Sequence, residues 1–278
     1  MSREAAFFTL YQGLAREGPG EAADLDWALG LAGTPDAARI CDAGAGSGAD
    51  AEVLAEARRK ARITAVEKAP ALAAEARARL ARFAPRVKLV EGDMARLAGP
   101  YDLIWSAGAV YFLGVSEALS RWRGALAPGG RVAFSEPVWL TADPPQAARE
   151  FWAGYPAISD LAGIEARVRA AGYRTLGARM IVGRPWETYY TPLAARIAAL
   201  RAAMRARARA SGCPGRNRAR DRALAAGARG GGLRGFGSGA GMTPARANGL
   251  ARLLPRISQN PWRPAAPMRG RGPARGLP

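Results

Sequence analysis

Ile40-Cys41-Asp42-Ala43-Gly44-Ala45-Gly46-Ser47-Gly48 is the stretch that decides the fold. Its apolar start reads as a buried strand. Its three glycines read as a tight turn, and Ser47 stands near the start of a helix. Glycine permits positive φ and a close approach of backbone to ligand. A helix start presents unpaired N–H groups at the same place. A strand, a glycine turn and a helix in that order suit a loop that wraps a nucleoside-containing molecule, and suit equally an ordinary strand-to-helix turn.

The chain on either side favours the first reading. Downstream, strand-like and helix-like segments alternate. Strands are expected at Ala38–Cys41, Ile63–Val66, Val87–Val90, Tyr101–Trp105 and Arg131–Ser135. Helices are expected over Ala49–Arg59, Pro70–Phe83 and Val115–Leu126, with Pro70 in the first turn where proline is tolerated. Repeated β–α units imply a parallel sheet covered on both faces, with ligands at the carboxyl ends of the strands. Gly44, Glu67, Asp93 and Ser106 all fall at such ends. Further on, residues 142–171 read as helical, Tyr173–Val182 as a sixth strand, and the segment after Tyr190 as a helix to about Arg209. Upstream, Phe7, Phe8, Leu10, Tyr11 and Leu14 make a helical apolar face. Arg16-Glu17-Gly18-Pro19-Gly20 breaks it. The expected organisation is a helical cap over 1–36, an α/β domain over 37–204 and a tail over 205–278.

Glu67 lies about twenty residues beyond the glycine turn, where a carboxylate can accept from both hydroxyls of a ribose. Asp93 ends the third strand, where a carboxylate can accept from an adenine amine. The chain has no histidine, which removes Ser-His-Asp triads, Cys-His pairs and nearly all zinc sites. Proton transfer must fall to Asp, Glu, Tyr or Lys. The two cysteines, Cys41 and Cys213, sit far apart in unlike settings, as expected of a reduced cytoplasmic protein. No apolar run is long enough to span a bilayer.

Jointly these motifs resemble the class I S-adenosylmethionine-dependent methyltransferases of small molecules. Asp42-Ala43-Gly44-Ala45-Gly46-Ser47-Gly48, Glu67, Gly92-Asp93-Met94 and Leu126-Ala127-Pro128-Gly129-Gly130 carry the resemblance, which covers about residues 5–200. It implies a Rossmann-like doubly wound sheet with S-adenosyl-L-methionine as cofactor and in-line methyl transfer to a small-molecule acceptor, without a metal. It places Gly44, Ala45 and Gly46 against the methionine part of the cofactor, with Asp42 orienting the loop or reaching the amino group. Glu67 would hold the ribose, Asp93 and Met94 the adenine, and Ser106 and Ala107 would lie beneath the acceptor. Tyr11, Arg16, Tyr111, Trp139 and Tyr189 are candidates for the acceptor pocket. Trp105-Ser106-Ala107-Gly108 stands where base-amine methylases often carry Asn/Asp-Pro-Pro-Tyr, which favours a small acceptor. Two alternatives stay open. Gly44-Ala45-Gly46-Ser47-Gly48-Ala49 also fits the dinucleotide fingerprint of NAD(P)-dependent oxidoreductases. The basic tail could bind nucleic acid through phosphates.

The formal net charge of +18 belongs to that tail. Residues 1–200 carry +2, whereas residues 201–278 carry 17 Arg, no Lys and one acid, Asp221. The same segment holds 14 Gly and 8 Pro, and Thr243 and Ile257 are its only β-branched residues. It offers no credible strand and is expected to be disordered. Relatives by resemblance end in an antiparallel strand, for which no candidate exists here. The tail fits either a genuine basic extension or a shifted reading frame of a GC-rich gene; an intact frame on resequencing would remove the second.

Overall fold

The computed structural model describes residues 9–210. Its centre is a five-stranded sheet in the order β3-β2-β1-β4-β5. The strands are β1 (Arg39–Ala43), β2 (Arg62–Glu67), β3 (Val87–Glu91), β4 (Tyr101–Ser106) and β5 (Leu126–Phe134), all paired in parallel. The helices are α1 (Ala22–Leu31), α2 (Ala49–Ala57), α3 (Pro70–Leu80), α4 (Val115–Trp122), α5 (Gln146–Phe151), α6 (Leu161–Ala170) and α7 (Arg184–Ala210). The chain order reverses between β1 and β4, and the glycine loop leaves β1 beside that reversal. Open α/β sheets bind ligands at such a point.

Alternation along β1 builds two cores. Ile40 packs with Leu25 and Leu29 of α1, Leu54 of α2 and Leu80 of α3 on one face. Cys41 and Ala43 pack with Leu119 and Trp122 of α4 and Ile164 of α6 on the other. A strand covered on both faces needs a near-continuous apolar run, and Ile40–Ala43 meets this except at Asp42. A third cluster joins Leu10, Tyr11 and Leu14 of the amino-terminal segment to Tyr189, Leu193 and Ile197 of α7. The α7 residues recur every four positions, so one helical face holds the cap in place.

Three expectations are corrected. Residues 173–182 carry no regular structure, so the sixth strand does not form. A strand satisfies its N–H and C=O groups only against a neighbour, and beyond β5 no further strand is present among the described residues. Residues 142–171 divide into α5 and α6 around Gly154 and Pro156. Finally, β5 begins at Leu126, ahead of the expected Arg131. Pro128-Gly129-Gly130 joins it as an irregularity, with Leu126 opposite Tyr101 and Arg131 opposite Leu103. Among the described residues no helix is long and apolar enough to cross a membrane, and no antiparallel strand is present. The basic tail and both accounts of its origin fall almost wholly on 211–278, outside the described residues.

Candidate active site

A cavity of about 570 Å³ opens at the carboxyl ends of β1, β2 and β4, within the range of small-molecule sites. Asp42, Gly44, Ala45, Gly46, Glu67, Asp93, Met94, Ala107, Tyr11, Arg16, Tyr111 and Tyr189 all line it. Two expected residues do not. Ser106 is fully buried behind the wall, and its hydroxyl donates to Ala43 O at 2.7 Å. It thereby ties the end of β4 to the glycine loop. Trp139 lies outside the wall, its backbone N–H donating to Ser159 O.

The loop geometry follows from its glycines. Gly44 has φ +80°, and a Cβ there would stand 2.6 Å from Ala109 Cβ and 3.2 Å from the Met94 sulfur. The amides of Gly44 and Ala45 both donate to Val66 O. Gly46 N donates to Glu67 Oε2 at 2.9 Å, and Ala69 N to Glu67 Oε1 at 2.7 Å. Glu67 thus shapes the loop, and each of its oxygens keeps a lone pair for a further donor. Asp93 accepts from Ala95 N at 2.9 Å and lies 3.6 Å from Lys68 Nζ. The Met94 carbonyl accepts from Trp122 Nε1 at 2.6 Å, which pins the cavity floor to the core.

Two residues, Asp50 and Glu17, and one contact between expected residues escape a reading of the sequence. Asp50 accepts from Trp105 Nε1 at 2.9 Å through one oxygen and from Arg16 through the other. This ion pair clamps the cap onto α2, with 18% and 9% of the two side chains exposed. Glu17 accepts from Ser47 N at 3.1 Å. Tyr11 and Tyr189 meet hydroxyl to hydroxyl at 3.2 Å. No local pattern announces any of these, because each partner lies at least thirty positions away. Behind Tyr111, Glu136 accepts from the Tyr155 hydroxyl, and burial pushes its carboxyl up to about 7.

The loop end of the cavity is acidic. Burial first, then the charges of Asp50 and Glu67, hold the Asp42 carboxyl well above its ordinary range, against the Ala51 amide and Arg16. Burial also raises Glu17. Because the folded-state value of Asp42 exceeds the unfolded one, its contribution to stability falls as pH climbs from the ordinary carboxylate range through the raised value. Asp42→Asn removes that cost. Its melting temperature should exceed the wild type's by about 2–4 °C at neutral pH, roughly 1 kcal/mol in a domain of this size. The gap should close near pH 4, and scanning calorimetry at both pH values checks it. Equal melting temperatures at neutral pH would show that Asp42 carries no such cost.

An open parallel α/β sheet with a glycine loop and two acid-tipped strands around one cavity is a Rossmann-like fold. Residues 40–130, about a third of the chain, match the family described as methyltransferase domain. A solved S-adenosylmethionine-dependent methyltransferase from Thiobacillus denitrificans, in complex with S-adenosyl-L-homocysteine, superposes with a TM-score of 0.64 at 20% identity. It covers 75% of this chain and 90% of that one. A Geobacter sulfurreducens counterpart, also with S-adenosyl-L-homocysteine, gives 0.63 at 20% identity over 82% and 90%. At such identities the likeness carries the fold. A trans-aconitate 2-methyltransferase of Streptomyces avermitilis is 36% identical over 107 residues, 37% of this chain and 40% of that relative's length. The oxidoreductase reading finds no support in these matches.

Proposed function

We propose that the protein transfers a methyl group from S-adenosyl-L-methionine to a small-molecule acceptor. One observation carries the reading: the loop at Gly44 leaves no room for a Cβ, beside a buried Asp42 oxygen that has no hydrogen-bond partner. An unpaired buried acceptor is costly unless a ligand completes it, and the ammonium-bearing end of this cofactor supplies the donor. When bound, the cofactor supplies a methyl group activated on a sulfonium.

The residues then have distinct tasks. Gly44, Ala45 and Gly46 let the backbone approach the methionine part, and Asp42 receives its amino end. Glu67 accepts from the ribose hydroxyls, while Asp93 and Met94 bound the adenine. Ala107 lies beneath the transferred group, with Ser106 holding the strand end from behind. Tyr11, Tyr111 and Tyr189 enclose the acceptor side and exclude water, while Arg16 holds the cap at the loop end through Asp50. Trp139 has no role in this scheme. Positioning of two reactants in near-attack geometry supplies most of the catalysis expected of such a site.

The test is calorimetric titration of S-adenosylmethionine into the full chain, with Asp93→Ala as the control. Wild type should bind, and the variant should bind at least about tenfold more weakly, as expected for loss of one hydrogen bond to a charged group. Methyl transfer is then assayed with trans-aconitate first, because of the Streptomyces relative, and with small phenols beside it. A folded full chain that binds no cofactor would remove the proposal.

A further inference from the structure

Two residues that line the cavity each carry a buried oxygen with no hydrogen-bond partner: Asp42 Oδ2 and Glu17 Oε1. They come from different parts of the chain. Asp42 is 2% exposed in the central strand of the sheet. Glu17 sits in the cap segment, and its other oxygen is held by the Ser47 amide at 3.1 Å. That oxygen lies so close over the loop that a Cβ on Gly46 would stand 2.3 Å from it.

The surrounding charges leave this end of the cavity negative. Arg16 spends its terminal nitrogens on Asp50 and Gly20 O, and its Nε keeps no partner. Arg79, whose charge acts on Glu17, lies 3.9 Å from Glu52 and donates to Ala15 O. Asp50 and Glu67 face Asp42, and Glu75 faces Glu17, so the remaining neighbours are acids. A ligand carboxylate would be repelled here, and a neutral group would leave at least one acceptor unpaired. An ammonium brings three donors and a positive charge.

We infer that Glu17 is a cofactor-binding residue: with Asp42 it supplies the acceptors for the ammonium-bearing end of the ligand, and so couples closure of the cap to recognition of that end. The inference rests on the cofactor reading above and adds to it a residue of the cap, outside the span that matches the methyltransferase family. Charge-assisted hydrogen bonds to a buried carboxylate are the stronger kind. Glu17→Gln keeps the size and the bond to Ser47 N, and removes the charge.

Three probes separate the possibilities on the full-length protein by calorimetry. S-adenosylmethionine and S-adenosylhomocysteine both carry the ammonium, and 5′-methylthioadenosine lacks the whole amino-acid part. Glu17→Gln should weaken the first two alike, about ten- to hundredfold, and leave the third within about twofold, inside the range of a non-contact surface change. Four results would overturn the inference. Unchanged affinities would mean that Glu17 makes no contact. Loss of all three would mean that the cap has collapsed. Loss for S-adenosylmethionine alone would mean that Glu17 answers the sulfonium. Tighter binding of the first two would mean that Glu17 occupies the loop amide as a stand-in for the ligand's own carboxylate. Failure of wild type to bind any probe would instead sink the cofactor reading beneath it.

Discussion

Gly44→Ala is expected to weaken cofactor binding at least about tenfold, the loss that about 1.4 kcal/mol of affinity represents. Two penalties coincide there. The first is conformational: φ is +80°, a region that a residue with a Cβ occupies at a cost of about 1–2 kcal/mol. The second is steric: the new Cβ would stand 2.6 Å from Ala109 Cβ. A methyl group on a short side chain has no rotamer to retreat into, so one backbone segment must move. Both segments border the cavity, and the Gly44 and Ala45 amides are anchored together on Val66 O. Gly183→Ala is the control. It has φ +71° with nothing within 4 Å of its Cβ and lies outside the cavity wall, so it should lose about 1–2 kcal/mol of stability and no cofactor affinity. Calorimetric titration with thermal melts of both variants checks the pair. Binding by Gly44→Ala within a few-fold of wild type would show that the loop relaxes freely.

The largest loss of stability is expected at Trp122, the largest completely buried side chain among the described residues. Trp122→Ala should cost about 3–5 kcal/mol, the range for emptying such a site. The mutation also removes the donor to Met94 O, leaving a polar group of the cavity floor without its partner. Cofactor affinity should therefore fall along with stability. Trp122→Phe narrows the comparison: it retains most of the ring volume and deletes the hydrogen bond, the bond alone costing about 1–3 kcal/mol. Urea unfolding of the three proteins, with titration at a temperature where all remain folded, reads both terms. If Trp122→Phe matches wild type in both, the bond to Met94 contributes nothing and the indole is pure filling.

Much of this molecule follows from its sequence through short-range physics. Ile40–Ala43 is apolar apart from Asp42, as suits a strand covered on both faces, and the glycines after it permit a turn of positive φ. Pro70 opens α3 as expected, since the first turn needs no proline N–H. Glu67 and Asp93 lie on the cavity wall because the β–α repeat puts every strand end on one side of the sheet. Where the reading missed, the deciding partner was distant. Tyr173–Val182 has strand-like composition, but composition cannot provide a neighbouring strand to pair with. Ser106 ends its strand as expected, yet its hydroxyl turns inward to Ala43 O and leaves the wall to Ala107.

The sequence by itself thus determined the order of elements from β1 to β5, the glycine loop and the acids at the strand ends, all set by spacing within one or two elements. Only the tertiary structure decided which groups meet across the chain: Glu17 with Ser47, Arg16 with Asp50, Trp122 with Met94, and the cap with α7. Those contacts depend on how helices and cap pack over the sheet, and packing joins residues whose separation along the chain leaves no periodic trace.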